Sequence, residues 1–132
     1  MTKNSFDYNK LPSPDYYKEF LLKIYKCKVP FELRFRNTMP KHYIGLYVIK
    51  PHRINLYPRR TDAQRMLEVA IHEYAHHVHL TELSKGDHKL DRSHGHNFTR
   101  IYTALRAKAV ELGLLSDIYD RSDELINDIL NS

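Results

Sequence analysis

Residues 72–80 read HEYAHHVHL, and four of the nine are histidines. His72-Glu73-Tyr74-Ala75-His76 fits the pattern H-E-x-x-H. On a helix, positions i and i+4 lie one above the other on the same face. Two imidazoles placed so can converge on one tetrahedral Zn²⁺. Glu73 stands about 100° around such a helix from His72, within reach of a water on the metal. The expected chemistry is hydrolytic. A zinc ion lowers the pKa of its water toward ~7 and polarises a carbonyl, and the carboxylate takes the water's proton. The acid so formed can protonate a leaving amine.

A catalytic zinc needs a third protein ligand and an open fourth position. His77 points about 100° away from His76 on a helix and is expected at the surface. His79 shares the face of His72 and His76, but about 10.5 Å along the axis from His72, too far for one small ion. His88 sits in a charged stretch and is expected to be solvated. His94 and His96 open the next helical segment, which can fold back against the first, so either could complete the site. Tyr102, two turns after His94, is a candidate oxyanion donor or a core residue. Asp87 or Asp91 could hydrogen-bond a ligand imidazole from behind.

HEYAH, followed by Ser93-His94-Gly95-His96-Asn97-Phe98, resembles the SprT-like zinc metalloproteases. That gluzincin-type group includes proteases of DNA–protein crosslinks, and its pattern is H-E-x-x-H, a loop, then H-G-x-x-[FW]. The resemblance implies His72, His76 and His94 as ligands of one Zn²⁺, Glu73 as general base, and a protein or peptide as substrate. It implies that Gly95 lets the backbone turn closely into the helix and that Phe98 locks the helix beside the metal. Many members carry a Cys-rich zinc ribbon, which a chain with one cysteine cannot build. A minimal catalytic core is therefore expected.

These residues need elements to hold them. Ser13-Pro14-Asp15 supplies an N-cap, a proline at the first helical position and an acid in the first turn. Tyr16, Phe20, Ile24 and Cys27 recur at helical spacing after it, and Pro30 is the expected stop. FELRFR, residues 31–36, alternates apolar and charged as a half-buried strand does. Tyr43–Ile49 and Arg53–Tyr57 are two more β-rich runs, joined at Pro51 by a tight antiparallel connection. Thr61 or Asp62 caps a long helix with a wide apolar surface at Met66, Leu67, Ala70, Ile71, Tyr74, Ala75 and Val78. A loop around Gly86 leads to a helix from about Ser93–Gly95 to Gly113, a glycine stop. A short last helix starts at Ser122. The class is α+β: an N-terminal helix, a small three-stranded, mainly antiparallel sheet, then the active-site helix packed on a second long helix, with the short one last.

The chain has 132 residues, 42% hydrophobic and 28% charged, which suits one folded domain over 1–132 with a loose segment at 1–12. Its one cysteine, Cys27, excludes an internal disulfide. No apolar run resembles a signal peptide or approaches the roughly 18 residues of a membrane span. A cytoplasmic place and no membrane partner are expected. Charge is uneven. Residues 1–65 hold 14 Lys/Arg against 5 Asp/Glu, giving +9, and residues 66–132 hold 7 against 11, giving −4. The basic half could dock DNA, which leaves two alternatives to a peptidase. One is a zinc-stabilised, non-catalytic nucleic-acid-binding module; the other is a zinc hydrolase of a non-peptide bond.

Overall fold

Helix α1 spans Pro14–Ile24. Ser13 caps it, its hydroxyl accepting from the Tyr16 amide at 3.2 Å, and Pro14 needs no amide partner there. The computed structural model describes residues 12–82 and 95–115. The buried stripe of α1 is Tyr17, Phe20, Leu21 and Ile24. Tyr16, expected inside, is 45% exposed. The helix also stops at Ile24, well before Pro30. The cause is non-local: the Tyr74 hydroxyl, from the helix around the H-E-x-x-H segment, donates to the Tyr25 carbonyl and accepts from the Cys27 amide at 3.1 Å. Glu82 accepts from the Lys28 amide at 2.8 Å and from the Tyr25 hydroxyl. These side chains satisfy the backbone of 25–28 in extended form, so it has no need of a helical partner.

The sheet is built from β1 (Glu32–Phe35), β2 (Gly45–Val48) and β3 (Arg53–Leu56). Its order is β1-β3-β2. β2 and β3 pair antiparallel through a turn containing a cis Lys50–Pro51 peptide, with Gly45 opposite Leu56 and Val48 opposite Arg53. β1 and β3 pair parallel, Leu33 opposite Ile54. The sheet is therefore mixed. The loop over 36–44 is long enough to carry the chain past the gap that β3 fills. Leu33, Ile54 and Leu56 face the core, while Glu32 stays outside and pairs with Arg34 at 3.0 Å and Arg53 at 3.3 Å.

A 3₁₀ turn over Pro58–Arg60 leads into α2, Ala63–Glu82. Asp62 is the cap, accepting from the Arg65 amide at 2.9 Å through its side chain and from Met66 at 3.0 Å through its carbonyl. α3 runs His96–Glu111 after Gly95 and ends at Gly113, whose φ of +75° suits a residue without a Cβ. α2 lies at the centre: it packs on β2 and β3, on α1 and on α3. Residues of all three helices and of β1 and β3 meet in one cluster around Ile71, Tyr74 and Phe98. The fold class is α+β, with the expected pairing of α2 and α3. Among the described residues, no helix is long and apolar enough to cross a membrane. The expected loose N-terminal segment, apart from residue 12, and the short helix from Ser122 lie outside the described residues.

Candidate metal centre

A helix with neighbours on every side buries more than one stripe. In α2, Glu68, His72, Glu73, His77 and His79 are all buried, among apolar residues from Met66 to Val78. A buried polar group must find a partner or lose several kcal/mol of solvation, on the order of 2–7. The partners sort all of these but His79 into three sets.

The first set is His72, Glu73 and His76. One donor atom from each lies within 4.8 Å of the other two. His72 and Glu73 are shut from solvent, and His76 is partly open. The two imidazoles, stacked by the i,i+4 repeat, meet edge to face with ring centres 4.8 Å apart. His72 Nε2 stands 3.8 Å from Glu73 Oε2. Burial alone pushes the Glu73 carboxyl up to about 8. A positive ion held by the two rings would work against that shift, because an opposite charge a few ångströms away favours the ionised carboxyl. Two imidazoles on one helical face are donors that zinc accepts, and the carboxylate beside them balances its charge. The residues fit such an ion.

β2 closes on this group. Gly45 is buried, and a Cβ there would stand 2.5 Å from Val69 Cγ1 and 3.3 Å from Glu73 Oε2. Only glycine lets the strand come so close to the helix. The second set starts on the same strand. Tyr47 Oη lies 2.8 Å from His77 Nδ1 and 2.5 Å from His52 Nδ1, and His77 Nε2 lies 2.6 Å from the Val29 carbonyl. The carbonyl can only accept, so His77 carries its proton on Nε2. Burial lowers the His77 pKa and keeps the ring neutral, so its Nδ1 accepts from the Tyr47 hydroxyl, which in turn accepts from His52 Nδ1–H. The expectation that His77 lies at the surface is thus wrong. The sheet covers that side of α2, and Phe31 packs on the ring at 5.2 Å.

The third set faces α3. Glu68 accepts from Arg106 through Nε at 2.9 Å and through an η nitrogen at 3.0 Å, and from the Tyr102 hydroxyl at 3.3 Å. Tyr102 is thereby a core residue, its phenol pushed up by burial and committed as a donor to Glu68. Phe98 is fully buried between the helices, 4.4 Å from the His76 ring and 5.0 Å from the His72 ring. It packs α3 beside α2, as the resemblance implied.

No family model, curated protein or solved structure matches this chain. Of the sequence-derived site residues, the structure brings together His72, Glu73 and His76. His94, together with His88, Asp87 and Asp91, lies outside the described residues. His96 is exposed and lines a groove with Asn97, Arg100 and Ala104, apart from the His72–His76 group. His79 is buried but outside that group, in keeping with its distance along the helix. The sequence reading passed over Glu68, Gly45, Tyr47 and His52. A signal existed for two of them: Glu68 lies one i,i+4 step before His72 on the same stripe, and a glycine inside a strand pattern marks a close backbone approach.

Proposed function

We propose that this chain is a zinc-dependent peptidase of the SprT-like kind, acting in the cytoplasm on protein or peptide substrates. The observation that carries the reading is the buried meeting of His72, His76 and Glu73, with donor atoms within 4.8 Å of one another. Its support is chemical. Two imidazoles on one helical face and an adjacent carboxylate are what metal-assisted hydrolysis needs, and the H-E-x-x-H and H-G-x-x-F segments resemble that family. His72 and His76 would hold the ion, with His94 as the third ligand. A bound zinc supplies Lewis-acid polarisation of the carbonyl and an acidified water.

Glu73 takes the proton of the attacking water at its carboxylate and returns it to the departing amine nitrogen. Burial raises the Glu73 carboxyl, and a cation held by the two rings would bring it back toward the ionised form that accepts the proton. Gly45 leaves that carboxylate room that a side chain at position 45 would fill.

The test pairs metal content with turnover. The wild type should purify with one zinc per chain and cleave an unfolded protein such as casein. His72→Ala, His76→Ala and His94→Ala should lose the zinc. Glu73→Gln should keep the zinc and lose turnover. Zinc retained in His94→Ala would move the third-ligand role elsewhere. Turnover retained in Glu73→Gln would end the proposed mechanism. Zinc without cleavage, with DNA affinity that falls steeply as salt rises, would favour the nucleic-acid-binding module instead.

A further inference from the structure

Histidine ligands are usually held in orientation by a hydrogen bond from behind the ring. Ring contacts can add to such backing, and the two proposed ligands have them. The ring of Phe98 lies nearly flat on His76, at 4.4 Å and 27°, and meets His72 edge-on, at 5.0 Å and 68°. Behind Phe98, one helical turn along α3, Tyr102 stacks parallel to it at 6.2 Å and 5°, and also meets His72, at 6.0 Å and 69°. The tilt of both imidazoles is therefore constrained by Phe98, and that of His72 by Tyr102 as well. Tyr102 is tied in turn to Glu68, and Phe98 stacks on Tyr102. The Glu68 carboxylate accepts from the Tyr102 hydroxyl and from Nε and one η nitrogen of Arg106, and so ties α3 to the residue of α2 one turn before His72. A two-pronged arginine–carboxylate pair permits little sliding, because both hydrogen bonds must keep their direction. Glu68 is 1% exposed, so water does not loosen the joint.

We propose that Glu68 is a positioning residue for the metal centre, acting through Tyr102 and Phe98 to hold the His72 and His76 rings at the angle at which they bind a cation. The inference rests on the zinc reading above and deepens it. A clamp serving only to join two helices would affect how much heat the fold withstands. A clamp that aims the ligands must also change the ion's affinity and its ligand geometry in protein that is fully folded.

Cobalt(II) reports that geometry, since its visible absorption depends on the coordination number and symmetry of its ligands. Two variants of the full chain serve. Glu68→Gln keeps the shape and weakens the grip on Arg106. Tyr102→Phe keeps the stacked ring and removes only its hydroxyl link to Glu68. Zinc affinity is measured by competition with a chromophoric chelator, the cobalt spectrum is recorded, and far-UV circular dichroism gives the folded fraction. Glu68→Gln should bind zinc about 10–100-fold more weakly, as loss of a residue behind a ligand does elsewhere, and should alter the cobalt bands. Tyr102→Phe should show a smaller change in the same direction. Wild-type affinity and an unchanged cobalt spectrum in folded Glu68→Gln overturn the proposal. If Glu68→Gln does not fold, Tyr102→Phe decides, and a wild-type result there overturns it equally. Absence of any His72-dependent cobalt or zinc binding in the wild type defeats the metal reading itself, and this inference with it, before either variant is made.

Discussion

Replacing Glu73 by Gln should stabilise the metal-free protein while removing the chemistry. The carboxyl is 2% exposed, and burial raises its pKa from 4.5 to about 8. A folded-state value above the unfolded one means that folding favours the protonated form. The stability linked to that proton is fully present below about pH 4.5 and is lost as the pH rises through about 8. At about 1.4 kcal/mol per pH unit, the loss is roughly 3 kcal/mol by pH 7 and saturates near 5 above pH 8. Glutamine has no such titration, although its buried amide brings a solvation cost on the order of 1 kcal/mol. Glu73→Gln should therefore exceed the wild type by roughly 2 kcal/mol at pH 7 and lose that advantage near pH 4.5. Urea unfolding of both proteins in a chelator, followed by circular dichroism from pH 4.5 to 8.5, measures the gap directly. Two stability curves running parallel across that range would refute the reasoning, because Glu73 would then titrate alike in folded and unfolded chains.

Two further substitutions probe how β2 is seated. Gly45→Ala places a methyl 2.5 Å from Val69 Cγ1 and should cost about 1–3 kcal/mol in thermal or urea unfolding. The double variant Gly45→Ala/Val69→Ala should recover part of that loss, and no recovery would mean the strain lies elsewhere. Tyr47→Phe strips His77 Nδ1 of its donor and His52 of its acceptor. It should cost about 1–3 kcal/mol, visible as a lowered urea midpoint with an unchanged slope.

Local signals carried much of the fold, and long-range ones did not. The start of α1 is written in Ser13-Pro14, because a cap acts within four residues, and the same holds for Asp62 and for the stop at Gly113. The end of α1 is not legible from nearby residues, since Tyr74 and Glu82, some fifty positions later, draw residues 25–28 out of the helix. The first strand shows in its alternation and the other two as β-rich runs, but the insertion of β3 between β1 and β2 depends on pairings that neither signal encodes. At the site, spacing alone placed His72 and His76 on one face with Glu73 beside them. The burial of His77 is not legible in spacing, because it depends on the sheet lying against the far side of α2. A helix covered on one side exposes its other polar residues, whereas one covered all round must give each of them a partner.

His76 and His77 are neighbours in sequence with separate trades, and the division is enforced by occupancy. Both nitrogens of His77 are engaged, one by a phenol and one by a peptide oxygen. It therefore has no lone pair to offer an incoming ion, although it stands one peptide bond from a residue proposed to do so. A histidine-dense helix risks gathering cations in several registers at once. By fastening this imidazole to the sheet, the protein takes the neighbour of His76 out of contention and leaves His72 and His76 with donor atoms close together.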